Sequence, residues 1–390
     1  MGIIPPGVQG FMYPNEVELQ WSILIVLYPY ITGLVAGAFI LASLARVFKI
    51  DAVKPIYRLS MLTALAFLLV APLPLQLHLG HPERSFEMYL TPHKTSAMAM
   101  FGFVYLWYLL VVLLLEIWLD YRGDIVNFAR SRHGIMKWIY TVLTLGSRNI
   151  SAESRRIDDT LGWVVTLVGI PSAFLLHGYV GFIFGSVKAN PWWSSPLMPV
   201  VFLFSAMVSG IAVVLLVYQT VTWIRNGEVD MACLDTIAKY LLYMFMIDFT
   251  LEMLDLVHRM YEASESFRAL DFMVHTRLYG SQIVLQIYVG TLLPIALLLL
   301  TQVFKLSVSV RRRLYTAASA LTLIGIFAMR WNVVIGGQLF SKSFLGYTTY
   351  KVAFATREGL LPAIALMILP FLILWGLLKL LPPWQGQKAA

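Results

Sequence analysis

Ionisable side chains recur inside or at the ends of long apolar stretches of this 390-residue chain: His78, His81, His177, Asp248, Glu252, Asp255, Arg259 and Arg330. An ionisable group at the centre of a bilayer-spanning helix costs at least about 2.5–3.5 kcal/mol, so such groups default to functional candidates. Asp248, Glu252, Asp255 and Arg259 follow the spacing i, i+4, i+7, i+11, which places them on one helix face. Carboxyls in that pattern in a low dielectric cannot all be ionised cheaply, and one that keeps a proton can pass it on. The pattern therefore suits a proton path through Asp248, Glu252 and Asp255. The competing structural reading is a buried ion pair, of Asp255 with Arg259 or with Arg330.

His78 stands beside Gly80, His81 and Pro82. A lone histidine at a helix end is ordinarily a satisfied core group, but Asp255 repeats its position at the end of a later span. Haem ligation needs paired histidines at facing helix positions. Only His78 and His177 could pair, because His93, His133 and His275 fall in loops and His81 and His258 at helix edges. The single cysteine, Cys233, excludes an internal disulfide and a self-contained iron–sulfur cluster. No P-loop, GxSxG, HExxH or CxxC motif is present. We expect no haem, iron–sulfur or metal centre in this chain, and no chemistry on a soluble substrate by this chain alone.

The elements that must position these groups are hydrophobic. The chain is 59% hydrophobic and only 13% charged, against about 25% charged for soluble domains. A water-soluble fold is excluded, and apolar runs of roughly twenty residues recur, each long enough to cross about 30 Å of hydrocarbon. Spans are predicted near 21–46, 57–79, 97–119, 160–185, 197–224, 236–259, 281–304, 314–339 and 359–380. The first follows a tail without Lys, Arg or a cleavage site and is expected to be retained. The stretch from Arg122 to Asp159 is predicted to lie on the membrane surface as an amphipathic segment and not to form a tenth span.

The net charge of +8 does not point to nucleic acid, because the basic residues sort by membrane side. Loops after odd-numbered spans, with the C-terminal tail, hold nineteen Lys or Arg; the N-terminal tail and the other loops hold nine. The positive-inside rule then predicts an N-terminus outside, a C-terminus in the cytoplasm and an odd number of spans. On that topology His78, His177, Asp255 and Arg330 share one level in the outer half.

LHLGH at 77–81 ends the second span and LDLVH at 254–258 ends the sixth, so His78 corresponds to Asp255 and His81 to His258. GLVAGAF at 33–39 similarly matches AMVSGIA at 206–212, with small residues that let helices approach closely. The expected architecture is an all-α, polytopic membrane protein of about nine helices: two repeated four-helix bundles and one additional helix. Its parts would be an outer tail (1–20), a first bundle (21–185), a second bundle (186–340), and an outer loop, last helix and cytoplasmic tail (341–390).

HLGHPERSFEMYLTPHKTSAMAMFG at 78–102 and HGYVGFIFGSVKANPWWSSPLMPVVFLFSAMVSG at 177–210 resemble signature segments of the NrfD-like, or polysulfide reductase, membrane-subunit family. RWNVVIGGQ at 330–338 is similar to a segment of its longer members. The resemblance spans roughly 15–340. It implies a quinone-binding subunit, taking menaquinone or ubiquinone, in the prokaryotic cytoplasmic membrane. It further implies an iron–sulfur partner of ferredoxin type, and often a molybdopterin catalytic subunit, at the outer surface. His78 stands where the family has aspartate, His81 where it has arginine, and Val180 where it has threonine.

The resulting expectation is a quinone-interacting subunit of a respiratory oxidoreductase complex. His78, His81, His177, Asp255 and Arg330 would border the quinone and exchange its protons. Glu83, Arg84, Trp192 and Trp193 would belong to the docking surface, together with the tail and the loop from Arg259 to Tyr279. The rival is a secondary transporter or proton pump working alone, which predicts a polar site at the midplane.

Overall fold

The computed structural model describes residues 8–262 and 265–384. Among the described residues the chain is almost wholly helical. Its helices are α1 (Ile23–Arg46), α2 (Tyr57–Val70), α3 (Leu73–His78), α4 (Glu87–Leu90), α5 (Ala97–Trp107), α6 (Leu115–Ser131), α7 (Gly134–Leu143), α8 (Ala152–Gly185), α9 (Met198–Ile224), α10 (Met231–Glu262), α11 (Glu265–Thr276), α12 (Leu293–Val303), α13 (Val308–Val334) and α14 (Leu360–Leu380). Two wide-turn π segments, Tyr108–Leu114 and Tyr279–Leu292, join α5 to α6 and lead into α12.

Among the described residues eight helical stretches are long and apolar enough to cross a membrane. At 32 residues α10 is also long enough, but Asp248, Glu252 and Asp255 interrupt its apolar surface. The chain is thus an all-α, multi-pass membrane protein. Helix formation satisfies every backbone donor and acceptor within the segment, which lipid demands.

Boundaries differ from the predicted spans where side chains intervene. The second span keeps helical backbone angles through Ala71 and Pro72, but Pro72 and Pro74 lack the N–H that a helix needs, and its hydrogen bonding is interrupted between α2 and α3. The third runs on to Ser131 as α6, so only part of the Arg122–Asp159 stretch leaves the bundle. Arg122 itself is buried. It donates to Asp158 Oδ2 (2.5 Å), Ser147 Oγ (2.9 Å) and the carbonyl of Asn149 (2.6 Å), folding the connection onto α6. α7 has ten residues, about 15 Å at 1.5 Å per residue, too short to span.

The centre of the molecule is the contact of α1 with α9. Gly37 and Gly210, which the sequence repeat makes near-equivalents, face each other: a Cβ on Gly210 would lie 2.3 Å from Gly37 Cα. Only glycine permits that backbone contact, and lipid-embedded helices associate through such close packing. α2, α8 and α13 pack around this pair, whereas α14 rests against α2 and is mostly exposed.

At one end of the helices the basic residues Arg46, Arg58, Arg122 and Arg311 gather with Asp120, Asp158 and Asp235. The opposite end is closed by tryptophans. Trp21 stacks on Trp193 with ring centroids 5.0 Å apart, and Gln338 brackets the Trp21 backbone, accepting from its N–H at 2.9 Å. There β1 (Gln9–Gly10) pairs antiparallel with β2 (Gly346–Tyr347), tying the N-terminal segment to the connection before α14.

Candidate functional site

Near the tryptophan end a cavity of about 540 Å³ opens between α10, α11, the second π segment and α13, with Trp192 at its edge. Its walls are largely apolar, with Met253, Leu256, Ile283 and Met329 among them; Asp255, Arg259, Asp271 and His275 also border it. Glu252, Gln286 and Asn332 line it as part of a file of hydrogen bonds that ends outside it at Ser281. Ser281 Oγ donates to Asn332 Oδ1 (2.6 Å), Asn332 Nδ2 donates to Gln286 Oε1 (2.8 Å), and Gln286 Nε2 lies 3.4 Å from each carboxyl oxygen of Glu252. Three helical elements supply these four side chains. The π segment widens the turn that carries Gln286, a geometry frequent at functional sites.

The acidic stripe of α10 is divided among three surroundings. Glu252 lines the cavity beside Gln286, and Asp255 and Arg259 line it as well. Asp255 is held by Arg259, whose Nε donates to it at 2.9 Å, and by the hydroxyl of Ser195. Arg259 Nη1 also donates to the carbonyl of Pro191 at 2.5 Å, so this pair clamps the 190–196 loop onto α10. Asp248 is buried, and its Oδ1 accepts no hydrogen bond from the described residues.

Arg330 and His177 meet in the interior. Arg330 Nη2 lies 3.1 Å from His177 Nε2 and donates to Ser205 Oγ (2.6 Å), while the guanidinium sits over the Phe202 ring, 4.0 Å from its centroid. Among the described residues no carboxylate pairs with Arg330 directly, contrary to the ion pair considered from sequence; Asp255 pairs with Arg259 instead.

Of the remaining expected site residues Trp192 borders the cavity, whereas His78, His81, Glu83, Arg84 and Trp193 do not. His78 Nδ1 is 2.9 Å from Glu358 Oε2, and Arg357 donates to the carbonyl of Leu79 at 2.7 Å, so the end of α3 is tied to the connection before α14 and does not line the cavity. His81 is exposed and paired with Glu83 at 3.0 Å, away from the buried groups. Glu83 and Arg84 are accessible, with Arg84 donating to Glu87 at 2.8 Å. Trp192 and Trp193 do not present an outer face. Their indoles turn inward because Nε1 of each finds a carbonyl in the interior, Asn332 for Trp192 (2.9 Å) and Val333 for Trp193 (2.6 Å).

Reasoning from charge alone passes over Ser281, Gln286 and Asn332. Uncharged amides inside apolar spans were the available signal, and Asn332 lies within RWNVVIGGQ itself. It also passes over Glu116, a buried carboxyl near the basic end. Glu116 accepts from Tyr57 (2.8 Å) and from Thr166, and Tyr57 in turn accepts from Arg46 (2.7 Å) at the edge of a cleft of about 390 Å³.

Over 384 residues the chain is 27% identical to a selenate reductase subunit of Mesobacillus selenatarsenatis, covering 95% of this chain and 87% of that protein. Over 223 residues it is 29% identical to a protein of Halobacterium salinarum named as a dimethyl sulfoxide reductase membrane subunit, covering 55% of this chain and 45% of that protein. Over 207 residues it is 28% identical to protein NrfD of Escherichia coli, covering 51% of this chain and 59% of that protein. Residues 13–342 match the family described as polysulphide reductase, NrfD. The tryptophan loop, the RWNVVIGGQ segment and the helices they join all fall within that match, and the chain belongs to the polysulphide reductase NrfD family.

Proposed function

We propose that this chain is the quinone-binding membrane subunit of a reductase-type complex, and that the quinone ring enters the cavity beside Glu252. The observation that carries this reading is the hydrogen-bonded file Asn332–Gln286–Glu252 along one side of a largely apolar cavity, with Ser281 holding Asn332 from behind. Ligand sites of about 300–1,000 Å³ with apolar walls and a few placed polar groups suit a molecule of this size and kind. A quinone offers two carbonyl acceptors on an apolar ring. Gln286 and Asn332 can donate to such oxygens, and the Glu252 carboxyl can give or take the proton that accompanies each electron.

Turnover moves two electrons as well as two protons. The single Cys233 leaves this chain without thiolates for an iron–sulfur cluster. The electrons therefore go to or come from a partner, for which the best fit is an iron–sulfur subunit of ferredoxin type with a molybdopterin catalytic subunit beyond it. The relatives named as selenate and dimethyl sulfoxide reductase subunits support a complex of that class. The docking face would be the tryptophan end, where Glu83, Arg84, Phe86 and Leu90 are accessible. The basic residues at the other end favour placing that end in the cytoplasm.

The direct test is photolabelling of the complex with a short-chain azidoquinone followed by peptide mapping. Label on peptides of α10 and the 279–292 segment is expected. Label confined to α3 and the loop after it would move the site to His78, and an absence of quinone-competable label would remove the quinone reading.

A further inference from the structure

Thr32 of α1 and Arg330 of α13 stand at the two ring nitrogens of His177. Its hydroxyl donates to the carbonyl of Tyr28 at 3.0 Å, the bond to the preceding turn that helical threonines make. With its hydrogen so engaged, Thr32 Oγ1 offers a lone pair to His177 Nδ1, 3.2 Å away. A ring hydrogen on Nδ1 suits that lone pair and leaves the ring's own on Nε2. At Nε2 stands Arg330 Nη2, 3.1 Å away, and a guanidinium has donors and no acceptor. Arg330 selects this neutral tautomer at one end of the imidazole, and the Thr32–Tyr28 bond agrees with it at the other. A proton on Nε2 would set two donors against each other beside the full charge of Arg330. Among the described residues no carboxylate is hydrogen-bonded to the ring to offset it.

The surroundings hold this geometry. His177 is fully buried and stacks on Phe202, and the same Phe202 ring carries the guanidinium on its face. Gly33 leaves room for the imidazole: a Cβ there would come within 3.2 Å of His177 Cε1. Thr32 and His177 thus link α1 and α8 to Arg330 on α13, whose Nη1 reaches the sulfur of Met329 in the cavity wall at 3.4 Å.

We propose that His177 is a positioning residue and not a proton carrier: a fixed neutral acceptor that holds the Arg330 guanidinium between Phe202, Ser205 and Met329, the last of these in the cavity wall. The functional consequence rests on the quinone reading, whereas the tautomer does not.

Two measurements test it on the purified complex. The first is a 15N spectrum of histidine-labelled protein at neutral pH, with the spectrum of His177→Gln subtracted. Protonated Nδ1 and unprotonated Nε2 are expected; an Nε2–H tautomer or an imidazolium would overturn the assignment. The second compares His177→Gln, which keeps an acceptor for Arg330 but has no titratable proton, with His177→Leu, which removes both. Quinol-linked turnover per assembled complex is expected to be largely retained in the glutamine variant. In the leucine variant it should fall about tenfold or more, the scale of losing a hydrogen bond to a charged group. A glutamine variant as impaired as the leucine one means that His177 carries protons. A leucine variant with lower thermal stability but unchanged turnover means that it only packs. If the wild-type complex neither binds nor turns over quinol while the expected tautomer is found, the quinone reading falls and the His177–Arg330 assignment stands.

Discussion

The indole nitrogen of Trp193 donates to the carbonyl of Val333 directly over Gly337, where a Cβ would stand 2.1 Å from that nitrogen. Two segments far apart in the chain, the NPWWSSP loop and RWNVVIGGQ, are thereby explained together. Trp193 can turn inward only because residue 337 has no side chain, and the neighbouring Gly336 similarly leaves room for Leu278 and Trp192.

Replacing Gly337 with Ala is expected to destabilise the protein by about 1–3 kcal/mol, the usual effect of overpacking a filled interior. Trp193 cannot yield easily, because Trp21 stacks on its other side. The check is the unfolding temperature in detergent, with Gly80→Ala as control, since nothing lies within 4 Å of a Cβ there. Equal unfolding temperatures for the two variants would mean that the Trp193–Gly337 contact does not restrain the loop.

Gln286→Leu is expected to weaken short-chain quinone binding about tenfold, by removing the link between Glu252 and Asn332. His78→Ala should leave that affinity unchanged, because His78 is engaged with Glu358 and does not line the cavity. Titration of both variants against a fluorescent quinone analogue decides it. The opposite order of effects would place the quinone beside His78, as the family resemblance of the 78–102 segment led us to expect.

Glu252→Gln keeps shape and hydrogen bonding but removes the exchangeable acid. Quinone should still bind, while turnover, or its coupling to proton movement, falls. Full turnover with unaltered proton stoichiometry would show that Glu252 is not an obligatory carrier, and the stripe on α10 would then be structural, as its Asp255–Arg259 portion already is in geometry.

A reporter fused after Lys388, which lies outside the described residues, is expected to be active on the cytoplasmic side. The expectation rests on the nineteen-to-nine division of Lys and Arg between alternate loops. Activity on the other side would invert the orientation and with it the placement of the docking face.

The all-α, multi-pass architecture and the family were legible in the sequence, because both are written in local properties. An apolar run of span length has few alternatives to a membrane helix, since lipid leaves unpaired backbone groups unsatisfied. The glycines at 37 and 210 likewise announced close packing, and they meet each other at the centre of the fold. What no local property contains is which polar groups of different helices share a space. Charge and spacing put Asp248, Glu252 and Asp255 on one face of α10, yet the neighbours that pack there give each a different role: Ser195 and Arg259 hold Asp255, Gln286 reaches Glu252, and Asp248 is enclosed. The same holds for Trp192 and Trp193, which looked like surface residues in a polar loop and turn inward because unpaired indole N–H groups find carbonyls at the end of α13. Burial and hydrogen-bond satisfaction are properties of the assembled bundle, so only the tertiary structure could decide them.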